Sequence, residues 1–275
     1  MNYRHAFHAG NFADLVKHAT LTRLLEALMS DPAPLTIVDT HAGAGGYDLD
    51  GELARRTGEA AQGVFRLMQA DDAPSVFDAL KFAVRKGNPE GGVRFYPGSP
   101  TLIADALRAR DLYTACELRD DDFALLSQTL ERTRGARALQ ADGFVTAHRP
   151  SGQGGRLFVL IDPPFERADD YERIAEALDM VLGLDARACV AVWLPLKDLE
   201  TFDAFLRRVE PAAPSLLVAE ARLKPLSDPM KMNGCAMVIA NAPAGVESDL
   251  EAICAWVVGT LGDAGGKAEV WSTGT

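Results

Sequence analysis

The sequence predicts an α/β fold built on a mostly parallel sheet, and three observations predict it. Short apolar runs alternate with stretches of helical periodicity, the order that lays helices on both faces of a parallel sheet. Four of the runs lead into an acidic residue: Asp39, Glu117, Asp142 and Asp162. The first run is followed at once by a glycine-rich turn, Gly43-Ala-Gly-Gly46. Ligands of open α/β sheets bind outside the carboxyl ends of the strands, so these acids and glycines are expected on one side of the sheet.

The first ten residues are polar, aromatic and histidine-rich (Tyr3-Arg-His-Ala-Phe-His8), either a frayed end or an arm laid over a site. Asn11 can cap a helix to about Met29, with Phe12, Leu15, Val16, Ala19, Leu24, Leu25 and Leu28 at helical spacing. Asp14, Lys17 and Leu21 lie off that stripe. Leu35 to Val38 reads as a buried strand running into Asp39-Thr-His-Ala-Gly-Ala-Gly45. Gly43-x-Gly45 falls short of the dinucleotide fingerprint, and no lysine follows, which argues against a phosphate-cradling loop.

Residues 48 to 93 break the alternation with two helical stretches, Ala60 to Gln69 and Ser75 to Lys86, and read as an inserted helical subdomain within a single domain, 1 to 275. Its expected task is shaping the substrate entrance or covering the core. Tyr96-Pro-Gly-Ser-Pro100 starts a helix, Thr101 to Arg108. Then come the strand Leu112 to Cys116, the helix Asp120 to Thr133 and the strand Arg137 to Ala141. The strand Leu157 to Ile161 is followed by the helix Asp170 to Leu182, the strand Cys189 to Leu194 and the helix Leu199 to Val209. A hairpin (Ser215 to Leu223, Cys235 to Asn241), the helix Leu250 to Leu261 and the strand Ala268 to Ser272 close the chain, with an antiparallel edge.

The 275 residues, 48% of them hydrophobic, allow a sizeable core. Cys116, Cys189, Cys235 and Cys254 are scattered without a Cys-x-x-Cys pair, which argues against structural zinc or a disulfide framework and fits a reducing cytoplasm. No apolar run suits a membrane span and the first residues do not form a signal peptide, so a cytoplasmic protein without a membrane partner is expected. The net charge of −11 speaks against nucleic-acid binding over the whole surface but leaves room for a local basic face.

Asp162-Pro163-Pro164-Phe165 is the most informative stretch. Asp-Pro pairs commonly start turns, which would need no function. Two prolines, however, end the strand abruptly and fix a carboxylate, a carbonyl and a ring as a rigid platform. Such a platform can grip an exocyclic amino group by its two hydrogens and stack the ring that carries it. A carboxylate for ribose hydroxyls (Glu117), another for an adenine amino group, and close backbone approach at the glycines describe an adenosyl-cofactor site. Together they predict an S-adenosylmethionine-dependent amino-methyltransferase.

The Asp-Pro-Pro-aromatic stretch resembles the signature of adenine-N6 methyltransferases, and the whole chain resembles the RlmJ family, which methylates N6 of an adenine in 23S ribosomal RNA. The pieces that carry this are Tyr3-Arg-His-x-Phe-His-Ala-Gly-Asn11, Asp39-Thr-His-Ala-Gly-Ala-Gly45, Tyr96-Pro-Gly-Ser-Pro100, Ala141-Asp-Gly-Phe144 and Leu160-Ile-Asp-Pro-Pro-Phe-Glu166. The resemblance implies a Rossmann-like class I methyltransferase with a seven-stranded, mostly parallel sheet and a small helical insertion. It implies that His18, His41, Gly43, Ser99, Glu117, Asp142, Gly143 and Asp162 hold the methyl donor. Catalysis is expected from Asp162, Pro163 and Phe165, and substrate binding from Tyr3, Arg4, Lys17 and Phe165. The expected partner is 23S ribosomal RNA, protein-free or early in assembly, with the enzyme a monomer. Where the family often has tyrosine, Phe165 keeps the stacking face and loses a phenolic hydrogen bond. Competing expectations are a DNA adenine-N6 or protein glutamine methyltransferase, and a non-catalytic RNA-binding protein. A zinc site at His5, His8, His18 and His41 is disfavoured, since tight ligand pairs are lacking; no metal is expected.

Overall fold

The computed structural model describes residues 8–51, 58–149, 155–213, 215–226 and 232–274. Five parallel strands form the centre of the sheet: β1 (Leu35–Asp39), β4 (Leu112–Cys116), β5 (Ala136–Leu139), β6 (Arg156–Ile161) and β7 (Cys189–Leu196). An antiparallel edge of β8 (Leu216–Arg222), β9 (Gly234–Ala240) and β10 (Lys267–Ser272) completes the order β10-β8-β9-β7-β6-β1-β4-β5. The sheet thus has eight strands, as the runs along the chain predicted, where the family resemblance implied seven. The additional strand is β10, which pairs along its whole length with β8 beyond the parallel part. After β1 the chain fills one side with β4 and β5, then returns to the other side with β6, so the order switches between β1 and β6. That crevice at the strands' carboxyl ends is where such sheets take ligands.

Alternation along the strands divides the core. On β6, Phe158 and Leu160 join one cluster, while Leu157, Val159 and Ile161 join the other. The first face carries α1 (Phe12–Met29), and the second carries α7 (Asp170–Leu184) and α8 (Leu199–Val209). The Asn11 side chain accepts the Asp14 N–H at 3.0 Å, the expected cap. The burial of α1 differs from its sequence pattern. Leu21 is fully buried, and Asp14 and Lys17 are nearly so. The helix is covered on several sides, since it packs on β9, on α4 (Ser99–Ala106) and on α9 (Val246–Leu261).

Between β1 and β4 lie α2 (Val64–Gln69) and α3 (Asp78–Gly87), each preceded by a short 3₁₀ turn, Glu59–Gln62 and Ser75–Phe77. Gly63 stands at the junction of the first pair, where no side chain fits. A Cβ there would stand 2.0 Å from the Gly10 carbonyl oxygen, which accepts the Val64 N–H at 2.8 Å. These helices are flanked by a ribbon of β2 (Gly46–Asp48) and β3 (Phe95–Pro97), which sequence patterning did not indicate. Among the described residues no helix is long and apolar enough to cross a membrane. All four cysteines are buried and unbridged.

Candidate active site

Two cavities meet at the end of β6. The first, about 260 Å³, runs along the carboxyl ends of the parallel strands; His18, His41, Gly43, Ser99, Glu117 and Gly143 line it. The second lies against α1 and β7 and is lined by Asn11, Phe165, Trp193, Pro195, Lys197 and Met232, among others. Lys17, Asp162, Pro163 and Pro164 belong to both walls. The Asp-Pro-Pro platform is therefore the partition, and groups held in either cavity can reach it.

Asp162 is held from α1. Lys17 Nζ lies 2.6 Å from its Oδ2 and 3.0 Å from Asp14 Oδ1. Lys17 lies off the apolar stripe of the sequence, yet its side chain is only 6% accessible. One turn of helix brings it level with the platform because Asp14, which also accepts the Gly10 N–H at 2.9 Å, anchors the helix start. Just past the prolines, Phe165 takes the left-handed backbone conformation at φ 51°, a strained choice for a bulky residue. That turn lays its ring against Tyr171 (5.2 Å between centroids) and Trp193 (5.8 Å), leaving it half-buried in the second cavity.

Of the acids predicted at the strand ends, Glu117 and Asp162 line the first cavity, while Asp142 stands behind its neighbours Gly143 and Phe144, which do line it. Glu117 accepts the backbone N–H of Gly43 (3.1 Å) and of Arg119 (2.8 Å), and burial pushes its carboxyl up. Asp142 caps α6 (Gly143–Thr146) by accepting the Phe144 N–H at 3.0 Å and pairs with Arg173 at 2.5 Å. Asp39 does not line the cavity; it is fully buried behind Ser99. Its Oδ2 accepts from Ser99 Oγ (2.7 Å) and Tyr113 (3.3 Å), while Oδ1 has no partner among the described residues. Burial pushes its carboxyl up to about 6, against the two hydroxyl hydrogen bonds and Lys17, with the Asp162 charge adding to the rise.

Glycine is required at two positions of this cavity. Gly43 has φ +64°, and a Cβ there would meet the Tyr47 hydroxyl at 2.3 Å. A Cβ on Gly143 would stand 1.8 Å from the Thr40 carbonyl oxygen, so no side chain fits. The histidines do not converge. His18 Nδ1 is 2.8 Å from the Tyr96 hydroxyl, His41 Nδ1 is 2.7 Å from Thr40 Oγ1, and His8 Nδ1 is 2.9 Å from Glu59. Burial pushes His41 down to about 4, so its ring is neutral near pH 7. Among the described residues no group of three or more His, Cys, Asp or Glu can hold a metal. Tyr3, Arg4 and His5 lie outside the described residues.

Sequence patterning did not single out Trp193, Phe144, Arg173 or the Lys17–Asp162 contact. Trp193 sits in a run read only as strand, and the contact joins residues 145 apart.

Residues 32–273 match the family described as ribosomal RNA large subunit methyltransferase D, RlmJ. The ribosomal RNA large subunit methyltransferase J of Escherichia coli (strain K12) is 34% identical over 268 residues, covering 96% of this chain and 95% of the relative. The enzyme of the same name from Haemophilus influenzae is 31% identical over 265 residues, covering 95% and 94%. The crystal structure of a Legionella pneumophila protein, 26% identical, superposes with a TM-score of 0.88 over 97% of this chain and 98% of that one.

Proposed function

Because the chain belongs to the RlmJ family of ribosomal RNA large subunit methyltransferases, we propose that it transfers the methyl group of S-adenosylmethionine to the N6 amino group of one adenine in 23S ribosomal RNA. The observation that carries this is the Asp162-Pro163-Pro164 partition between two cavities of different character. One side offers carboxylates and close backbone approach; the other offers aromatic rings.

The first cavity fits the donor's chemistry. Glu117 has both oxygens fixed by backbone N–H groups, which leaves further lone pairs for the two hydroxyls of a ribose. Ser99 gives its only hydroxyl hydrogen to Asp39 and so presents lone pairs to an ammonium group. Carboxylates suit a cationic ligand, and the missing side chain at Gly143 leaves its backbone open to close approach. We assign donor binding to His18, His41, Gly43, Ser99, Glu117, Asp142, Gly143 and Asp162. When bound there, S-adenosylmethionine supplies an electrophilic methyl group on a positively charged sulfur.

The residues of this chain prepare the acceptor. The adenine amino nitrogen is a poor nucleophile because its lone pair is delocalised into the ring. In the proposed mechanism the Asp162 carboxylate and the Pro163 carbonyl accept hydrogen bonds from its two N–H groups, which localises the lone pair on nitrogen. As the methyl–sulfur bond breaks and the methyl–nitrogen bond forms, the sulfur keeps the bonding pair, and the extra proton on nitrogen then passes to the Asp162 carboxylate or to water. Lys17 holds the carboxylate in place at 2.6 Å and must share it with the incoming amino group. Phe165 stacks on the base, an interaction typically worth about 1–3 kcal/mol. Tyr3 and Arg4 are assigned to the substrate side with Lys17. Positioning dominates, since orientation alone can supply roughly 7–11 kcal/mol of the barrier. The base must leave its stack to enter, so a single-stranded, bulged or opened adenine is the target.

Residues 48–93 are proposed to act as an inserted subdomain shaping the acceptor mouth. In support, Glu59 accepts a hydrogen bond from Asn11 and lies against His8, both of which line the second cavity. We also propose a cytoplasmic monomer that acts on RNA before the large subunit is complete.

The test is transfer of labelled methyl to protein-free 23S ribosomal RNA and to assembled large subunits, with Asp162→Ala alongside. One N6-methyladenine on free RNA, lost in the variant, is expected. Label on DNA or protein in place of RNA, or undiminished transfer by the variant, overturns the proposal.

A further inference from the structure

The donor cavity contains a side chain to which neither the family resemblance nor the sequence pattern gives a role. Arg173 stands in the first turn of α7 and lines that cavity. Its Nη2 is 2.5 Å from Asp142 Oδ2, and its guanidinium carbon lies 4.4 Å over the centre of the Phe144 ring. The Phe144 ring in turn meets the His41 ring edge-on at 4.7 Å. One guanidinium thus touches the carboxylate that caps α6 and the ring that backs His41.

These contacts matter because of what they hold. Helix α6 is a single turn of four residues, Gly143–Thr146. An isolated turn of that length does not sustain itself, because helix nucleation is unfavourable. Its position must come from its contacts. At its start the Gly143 backbone presses against the Thr40 carbonyl with no room for a side chain. Beside it, Arg173 binds the cap residue Asp142 by charge and Phe144 by its ring face. The planar guanidinium suits both tasks together, pairing with a carboxylate at its edge and a ring at its face, which a lysine ammonium cannot reproduce.

We infer that Arg173 is a positioning residue for the methyl donor, fixing Asp142, Gly143 and Phe144 so that this wall is formed before the donor arrives. This rests on the donor assignment made above. Arg173 acts through its neighbours; it does not share in the chemistry at Asp162. Its removal therefore weakens capture of the donor and leaves methyl transfer on the saturated enzyme little changed.

Binding of S-adenosylhomocysteine is measured by calorimetry for the wild type, Arg173→Met and Arg173→Lys, with donor KM and kcat on 23S ribosomal RNA. Arg173→Met is expected to weaken binding about tenfold or more and to raise KM in step, with kcat within about twofold. Arg173→Lys, which keeps the charge and loses the flat face, is expected to recover part of the loss. Phe144→Leu keeps the ion pair and removes the ring; a smaller weakening is expected, and it stands in if Arg173→Met does not fold. Binding by these variants within about twofold of the wild type overturns the inference alone, as does a fall in kcat at unchanged KM. A wild-type enzyme that does not bind S-adenosylhomocysteine overturns the donor assignment and this inference with it.

Discussion

Replacing Asp39 by Asn tests the electrostatics behind the donor cavity. The Asp39 carboxyl is fully buried and is raised from 3.8 to about 6, chiefly by burial. The folded state therefore holds this proton more tightly than the unfolded chain does. The resulting stabilisation is fully present below the unfolded value and is lost as pH rises through the folded one. A difference of about 2 units at 1.36 kcal/mol each gives a total of about 3 kcal/mol. Part of that range lies below pH 5; between pH 5 and pH 7.5 the wild type should lose about 1 kcal/mol through this group. Asn cannot ionise, so the variant lacks this slope. It has a fixed penalty of its own, since its amide nitrogen stands where Oδ1 now has no partner. That offset does not vary with pH. Urea unfolding of both proteins at pH 5, 6 and 7.5 separates the two effects. The stability of Asp39→Asn relative to wild type should rise by about 1 kcal/mol from the lowest to the highest pH. A relative stability that does not rise across the range would refute the claim that Asp39 titrates near 6.

Three further outcomes are expected. Gly143→Ala forces a Cβ to 1.8 Å from the Thr40 carbonyl, so thermal melts should show a loss of about 1–3 kcal/mol or more, and titration should show loss of S-adenosylhomocysteine binding; an alanine variant that binds normally would contradict the close approach. Lys17→Met leaves the Asp14 and Asp162 carboxylates without their shared cation, and breaking a buried pair in this way costs about 3–5 kcal/mol; a urea midpoint equal to wild type would rule this out. His8 is raised above 6.5 by its hydrogen bond to Glu59, with burial opposing and the Glu59 and Asp14 charges assisting. Its stabilising effect is complete below the unfolded value and fades as pH rises through the raised folded one. The melting-temperature advantage of wild type over His8→Gln should therefore shrink between pH 6 and pH 9, and an advantage independent of pH would count against the pair.

Much of the fold is legible in the sequence because its elements are long and periodic. The Asn11 cap, the run Leu157 to Ile161 and the alternation of strands with helices all stand as expected. The β2–β3 ribbon is not legible. Three residues carry no period, and its partners Gly46 and Pro97 are residues that rarely mark a strand. The last strand is predicted from residues 268–272, but its pairing with β8 depends on what lies at the sheet edge.

The limit is sharpest at the site. Asp39, Glu117, Asp142 and Asp162 look alike in sequence, each an acid following a stretch that reads as strand. The fold gives them four environments: two hydroxyls and a bare oxygen for Asp39, backbone N–H groups for Glu117, a guanidinium for Asp142 and an ammonium for Asp162. Only the last stands on the wall between two cavities. An acid's position can be read locally, because β-strand ends and prolines are local features. Its task cannot, because the partner that decides it comes from another part of the chain: Lys17 for Asp162, Arg173 for Asp142, Ser99 for Asp39. The arrangement of those partners, more than the acids themselves, separates the residue that meets the acceptor from those that shape the donor cavity.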